Sequence, residues 1–487
     1  MEQKSRGGFT SKLGFVLAAA GSAVGLGNLW RFPYLAAKNG GGLFILTYII
    51  LAFTVGFALL TTEISIGRKT GLSPLQAYGK LNKKFSFLGL LATIVPAIIF
   101  PYYCVIGGWV TKYAATYVSG GASGLYATGS GDFFTGFITS NFEPLLWFIV
   151  YMAINAVIVL FGVEKGIEKA SKIIMPTLIV LILGIVIFSF TLHDPESGRT
   201  AWDGIKIYLI PDFNDLAKDA TTGVYVPEAA FGNVVKNFTS LLLDAFGQMF
   251  YSLSVAMGIM ITYGSYCKKE DNLVSSVNQI SIFDSGIALL AGLIVVPSVF
   301  VFQGEAGLSK SGPSLMFVSL PQIFEKMGIA GTIIGALFFI LVLFAALTSS
   351  ISLMETVASS IIDKFHFSRK KATLITFLGA VVIGVIVCFG YSFWYADIPL
   401  PNGATGQILD ILDFTANSIM LPLVALLTCV LVGWVYKPHG VIEEIQIGMN
   451  GKKFYREKLL TVMLKFVAPV LLFIIMLQAF GVFNFLG

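Results

Sequence analysis

The sequence is poor in charge. Lys, Arg, Asp and Glu make up 12% of its 487 residues, about half the share found in soluble domains. That excludes an ordinary water-soluble globule. The basic residues sit in short loops between apolar runs, which argues against a nucleic-acid partner. There are four cysteines, Cys104, Cys267, Cys388 and Cys429, all in or beside apolar runs, with no CxxC spacing. They read as packing residues, neither disulfide partners nor metal ligands. The three histidines, His193, His366 and His439, fall in loops without metal spacing, and no nucleophile–base pair stands out. The composition therefore reads as no enzyme. No small-residue cleavage site follows the short basic N-terminus (Lys4, Arg6, Lys12), so the first apolar run is expected to remain as a span.

Apolar residues are abundant. Hydrophobic types supply 56% of the chain and mean hydropathy is +0.83, which predicts an all-α polytopic membrane protein. About 20 apolar residues span a bilayer, and on that ruler there are about eleven segments. They lie near 12–36, 42–67, 88–117, 144–162, 169–192, 238–265, 275–303, 330–362, 370–390, 408–435 and 460–484. The third is long and is read as interrupted at Pro101. The 193–237 linker is the longest polar stretch. The 304–328 linker is rich in Gly, Pro and Ser yet carries Leu315, Met316, Phe317 and Val318, and reads as a re-entrant or capping loop.

Positive charge is concentrated in alternate loops: Arg68, Lys69, Lys80, Lys83 and Lys84; Lys165, Lys169 and Lys172; Lys268 and Lys269; Lys364, Arg369, Lys370 and Lys371; Lys437, Lys452, Lys453 and Arg456. The intervening stretch 391–409 has no Lys or Arg. By the positive-inside rule the N-terminus is expected in the cytoplasm, and an odd number of spans then puts the C-terminus outside.

Gly21, Gly25 and Gly27 crowd the first segment, within the run Gly21 to Pro33. Each costs a helix interior about 1 kcal/mol against Ala. Backbone released from a helix at membrane depth needs another partner. The run can offer carbonyl and N–H groups to a ligand, or allow close packing through small residues. Asn28 and Arg31 favour the first reading, because polar and charged residues inside a span are expensive and usually functional. The sixth segment repeats the pattern, with Gln248, Ser252, Ser254 and Gly258 interrupting an apolar run. Two interrupted spans in corresponding positions point to a pseudo-symmetric transporter with its site between them.

The run Gly21 to Pro33 resembles the first-helix signature of the neurotransmitter:sodium symporter family. Similar stretches follow in order: Lys165-Gly166-Ile167-Glu168 with Met175-Pro176-Thr177, then Ile261-Thr262-Tyr263-Gly264-Ser265-Tyr266, then Ser311-Gly312-Pro313 with Leu320-Pro321, and Leu347-Thr348-Ser349-Ser350. The likeness runs nearly the length of the chain and is strongest to bacterial symporters of hydrophobic amino acids. It implies one transporter domain over 1–487 with a leucine-transporter-like fold. Two inverted five-helix repeats would cover about 12–192 and 238–435, with an additional helix near 460–484. It also implies alternating access driven by sodium in a multi-pass protein of the cell membrane. Oligomeric state is left open.

An amino acid needs positive partial charge for its carboxylate, acceptors for its ammonium and a pocket for its side chain. N–H groups of Gly25, Leu26 and Gly27 at a half-helix start can supply the first, with the Tyr103 hydroxyl. By resemblance, Ser22, Ala23, Ser252 and Ser254 contact the ammonium or a neighbouring sodium. Ile99, Tyr103, Tyr251, Met257, Ser349 and Leu353 line the side-chain pocket. Monoamine carriers of the family place an Asp at the position of Gly25; glycine leaves room for a carboxylate brought by the substrate. The pocket offers no Lys, Arg or Glu, so neutral apolar or aromatic L-amino acids are expected. Ala256 stands where relatives often have Gly, and its methyl is expected to narrow the pocket against tryptophan.

Sodium prefers several oxygen ligands. The resemblance implies two ions. One would sit among the Ala23 carbonyl, Asn28, Ser252, Asp284 and the substrate carboxylate. The second would sit among the carbonyls of Gly21, Val24 and Ala345 and the hydroxyls of Thr348 and Ser349. Those hydroxyls could instead back-bond to their own helix. Asp284 replaces the family's common Asn and is either a neutral packing residue or a fixed negative charge. In chloride-dependent relatives the anion lies near Tyr48, Gln248, Ser252 and the residue at 284. Asp284 therefore implies that chloride is not required.

Alternating access needs closures on both sides. Arg31 and Asp413 are expected to form the outer ion pair, bridged by water above Tyr103 and Tyr251, with Asp410 as an alternative partner. Arg6 and Asp363 would form the inner pair near Ser265 and Tyr266. Weak, exposed pairs of about 0–1 kcal/mol suit a reversible latch. A channel is disfavoured, since no repeated pore-loop filter or charged ring appears. A carrier of another neutral solute such as an osmolyte, or a transporter-like receptor, remains the alternative.

Overall fold

A computed structural model describes residues 7–218, 225, 227, 230–401, 403–449 and 451–482. Nine of the described helices are long and apolar enough to cross a membrane. In chain order the helices that matter are α1 (Lys12–Ala23), α2 (Gly27–Lys38), α3 (Gly42–Thr70), α4 (Lys83–Val118), α5 (Glu143–Leu160), α6 (Val163–Ser189), α7 (Ala230–Ser252), α8 (Ile259–Gly264), α9 (Leu273–Leu308), α10 (Gly328–Phe365), α11 (Arg369–Phe389), α12 (Ile408–Val435) and α13 (Glu457–Ala479). The pair α1 and α2 makes one further span, bent by 53° at its break. The pair α7 and α8 occupies the sixth segment, interrupted over 253–258.

Local chemistry sets the ends of these helices. Ser11 caps α1 by accepting the Gly14 N–H at 3.0 Å. The carboxylate of Glu168 adds negative charge there, accepting the Thr10 N–H at 2.7 Å and hydroxyls from Thr10 and Ser11. The α1 helix stops at Val24, whose backbone turns extended, and the chain resumes as a π-helical turn over Gly27–Arg31. The α3 helix ends on Gly71 in the left-handed region, after Arg68 and Lys69 in its last turn.

One expectation needs correction. Pro101 does not interrupt the third segment: α4 runs unbroken with both Pro96 and Pro101 inside. Neighbouring spans hold a membrane helix through such defects, and α4 is packed by α10 and α5 along its length. The 193–237 linker is partly helical. It carries the helix Ala201–Leu209, started by a capping box of Thr200 and Asp203, and the Thr200 hydroxyl holds the Asp203 carboxyl below its ordinary range. That helix lies on α9, where the Tyr208 hydroxyl donates to the Leu289 carbonyl at 3.1 Å.

The 304–328 segment folds back as short helical turns over Gly312–Lys326, a cap rather than a span. Phe317 seats it, stacking on Phe134 at 5.1 Å between ring centroids. At the lysine-rich face, the helix His439–Ile447 docks across the end of α3. Buried Arg68 donates to the Glu444 carboxylate at 2.8 Å, to the Asp271 carbonyl at 2.6 Å and to the Glu444 carbonyl.

Candidate functional site

The two interruptions face each other at the centre of the molecule, flanked by α4 and α10. A buried cavity lies between them. Every residue expected to contact substrate lines it: Ser22, Ala23, Leu26, Gly27, Ile99, Tyr103, Tyr251, Ser252, Ser254, Met257, Ser349 and Leu353. Gly25, Asn28 and Ile259 complete the wall. The cavity is polar where the breaks meet and apolar towards Ile99, Met257, Ile259 and Leu353.

Serines tie the breaks to α10. The Ser22 carbonyl accepts the hydroxyls of Ser254 at 2.9 Å and Ser349 at 3.1 Å. The Ser22 and Ser352 hydroxyls lie 2.7 Å apart. The Leu26 N–H points to the Tyr103 hydroxyl at 3.5 Å, while the Gly25 N–H is held by Asn28 Oδ1 at 3.0 Å. A Cβ on Gly25 would lie 2.8 Å from Ser349 Oγ and 3.2 Å from Tyr103 Oη. Glycine at this position keeps the polar end of the cavity open.

Asp284 is fully buried and accepts three hydrogen bonds. Asn28 donates at 2.8 Å and Ser252 at 2.6 Å to one oxygen, and Tyr48 at 2.7 Å to the other. Asn28, Ser252 and Asp284 thus meet in one cluster, and Ala23 lines the cavity beside it. Gln248 donates to the Gly27 carbonyl at 3.2 Å.

A second oxygen cluster lies between α1 and α10. Ser349 Oγ is 3.1 Å from the Val24 carbonyl and 3.3 Å from the Ala345 carbonyl. Thr348 Oγ1 is 3.0 Å from the Ala345 carbonyl. Gly21 allows the approach, since a Cβ there would sit 3.0 Å from the Thr348 Cβ. Back-bonding within α10 and contact with the break in the first span are therefore both present. Both clusters are built of carbonyl, hydroxyl, amide and carboxylate oxygens, the donor type that hard cations take.

Arg31 and Asp413 make no direct ion pair among the described residues, but the Arg31 charge acts on the Asp413 carboxylate. Asp413 accepts from Tyr102 at 3.0 Å and Asn417 at 2.6 Å. Arg31 instead lies over the Tyr251 ring at 6.0 Å from its centroid. Asp410, the alternative partner, caps its own helix by accepting the Gln407 N–H at 2.8 Å. On the lysine-rich side Asp363 accepts the Ser73 N–H at 2.7 Å. Arg6 lies outside the described residues. Tyr266 donates to Glu355 at 2.7 Å, and Arg369 grips Glu355 with two nitrogens at 2.7 and 3.0 Å.

Sequence reasoning missed two acids buried within the spans, Glu355 and Glu63. Glu63 of α3 accepts the Ala256 N–H at 2.6 Å, inside the interruption between α7 and α8. Both lie within apolar spans, the same signal that singled out Asp284. Ala256 itself requires a correction. Its side chain does not line the cavity. Its backbone is left-handed at φ 65°, flanked by Ser254 at 53° and Gly258 at 69°, so its role is in the path of the chain.

Known proteins resemble this chain over nearly its whole length. The model of the sodium:neurotransmitter symporter family matches residues 6–120 and 139–486. The sodium-dependent transporter YhdH of Bacillus subtilis, itself uncharacterised, is 33% identical over 480 residues, covering 98% of both chains. An uncharacterised sodium-dependent transporter of Haemophilus influenzae is 30% identical, again covering 98% of both. Among solved structures, MhsT in complex with L-phenylalanine matches with TM-score 0.82 and 33% identity, covering 98% of this chain and 100% of that one.

Proposed function

The chain belongs to the sodium:neurotransmitter symporter family of sodium-dependent transporters, and from that premise we propose that it imports neutral, apolar or aromatic L-amino acids. The observation that carries this reading is the tight fit around Gly25, which lacks a side chain. Ser349 and Tyr103 crowd the place where a Cβ would stand, so an acidic side chain has no room and the substrate supplies the carboxylate. That carboxylate would lie against the half-helix start at Leu26 and Gly27, where N–H groups converge. Carbonyls and hydroxyls of Ser22, Ser252 and Ser254 would take the ammonium. Ile99, Met257 and Leu353 would hold the side chain. MhsT, solved with L-phenylalanine, supports an amino-acid substrate.

Two sodium ions would travel with it. The first would use Ala23, Asn28, Ser252, Asp284 and the substrate carboxylate, which makes ion and substrate binding mutually dependent. The second would use Gly21, Val24, Ala345, Thr348 and Ser349 between α1 and α10. Asp284 would replace chloride, since Tyr48 and Ser252 already donate to its carboxylate. By the positive-inside rule the lysine-rich loops would lie in the cytoplasm with the N-terminus, and the C-terminus would lie outside. We read α1–α6 and α7–α12 as inverted repeats, with α13 added. Arg31 and Asp413 would approach through water as the outer gate closes, and Asp363, Tyr266, Glu355 and Arg369 would belong to the inner gate.

Sodium-gradient-driven uptake into proteoliposomes, competed by each standard amino acid, tests this. Saturable uptake competed by neutral apolar and aromatic amino acids, and undiminished when gluconate replaces chloride, is expected. No saturable uptake of any neutral amino acid would overturn the reading.

A further inference from the structure

A pocket opens on the lysine-rich face where α5 meets α6. It is lined by Lys165, Lys169 and Lys172, with Phe161 and Glu164 beside them and Thr10 and Glu168 completing it. The lysines are not equivalent. Lys172 is engaged by Glu168 at 2.7 Å. Lys165 and Lys169 are exposed, and neither has an acid within ion-pair distance among the described residues. From the pocket an apolar stripe runs down the outer face of the spans: Phe161 is 66% exposed, Ile173 61% and Val180 70%. Side chains so exposed on a span face acyl chains. Two unpartnered ammonium groups above a lipid-facing stripe match a ligand that is anionic at one end and apolar at the other. A soluble anion would leave Phe161 and Ile173 without a role.

We propose that Lys165 and Lys169 bind the phosphodiester headgroup of an anionic phospholipid in the cytoplasmic leaflet, with its acyl chains along Phe161 and Ile173. The leaflet follows from the lysine-rich loops that mark this face. Basic pockets between spans on that side suit such headgroups. Glu164 opposes the headgroup, so binding needs both lysines. Glu168 gives the site a consequence. Its carboxylate also holds Thr10 and Ser11 at the start of α1. A headgroup competes with Glu168 for the Lys172 ammonium, which couples lipid binding to the anchoring of the first span.

The test measures retention of added dioleoyl phosphatidylglycerol by the purified full chain, using native mass spectrometry. The affinity of the first bound lipid is expected to fall about tenfold or more in K165Q/K169Q. It is expected to persist in K165R/K169R, which also shows that the position tolerates substitution. K452Q/K453Q, which removes exposed lysines elsewhere on the same face, is expected to change it little. Equal loss in the two glutamine variants, or loss in neither, overturns the proposal. So does displacement of the lipid by glycerol phosphate, which would mark a soluble-anion site. Lipid retention does not depend on transport, so this result stands or falls apart from the proposed substrate. The expected companion is uptake that rises with the phosphatidylglycerol fraction of phosphatidylcholine vesicles in wild type and not in K165Q/K169Q.

Discussion

Glu63 on α3 holds the backbone N–H of Ala256 at 2.6 Å, in the middle of the interrupted sixth span. A buried N–H that leaves its helix needs an acceptor, and leaving one unmade costs about 1–3 kcal/mol. The carboxylate supplies it while the chain runs through three left-handed residues. E63A is therefore expected to weaken substrate binding by about tenfold or more, and E63Q, which keeps an oxygen acceptor, by less. Equilibrium binding of radiolabelled leucine measures both. Wild-type affinity in E63A would show that the contact is idle.

Gly25 is limited by space rather than by backbone conformation. A methyl there meets Ser349 Oγ at 2.8 Å and Tyr103 Oη at 3.2 Å, and overpacking of this kind costs about 1–3 kcal/mol. G25A is expected to raise KM for leucine uptake about tenfold or more, at unchanged expression. Unaltered KM in initial-rate measurements would remove Gly25 from the carboxylate end of the site.

Asp284 is the only acid contacting both Asn28 and Ser252 among the described residues. D284N keeps an acceptor oxygen and deletes the charge. Uptake by D284N is expected to be higher in chloride than in gluconate and to need more sodium, while wild type is indifferent to the anion. A variant equally active in both anions would mean that Asp284 carries no charge in the transport cycle.

Arg68 and Glu444 form an ion pair with side-chain exposures of 0% and 3%. Removing one partner of a buried pair costs about 3–5 kcal/mol, because the other charge remains desolvated. Arg68 keeps the Asp271 carbonyl as an acceptor, so E444A is placed at about 3 kcal/mol. Thermal unfolding in detergent is expected to shift down by several degrees, and R68M/E444A to recover part of the loss. An unmoved transition would show that the helix His439–Ile447 docks through its apolar residues alone.

Much of the fold was legible in the sequence. The spans follow from hydropathy, and both breaks from glycines and hydroxyls that a membrane helix would not otherwise carry. The resemblance then brought the expected cavity-lining residues together on paper. The outer gate was less legible. Complementary charge suggested Arg31 for Asp413, but nothing local announced that Tyr102 and Asn417 donate to the same carboxylate. Asp410 looked equally available, but the geometry of a helix start claims its carboxylate. Pro101 illustrates the opposite error, because local propensity expected a break where packing from α5 and α10 kept a helix.

The sequence by itself determined the medium, the succession of apolar segments and the two places where helices fail. These are local properties: side-chain transfer energies sum along a segment, and glycine acts at its own position. Tertiary structure alone decided which distant groups meet. Glu63 and Ala256 are separated by 193 positions, and no local rule assigns that carboxylate to that N–H. The same holds for Tyr48 on Asp284 and for Glu444 on Arg68. Inside the protein, with little water to substitute, a polar group must be satisfied by whatever the fold brings beside it. That pairing belongs to the packed arrangement of the helices, and it is there that the proposed site takes its charge and its shape.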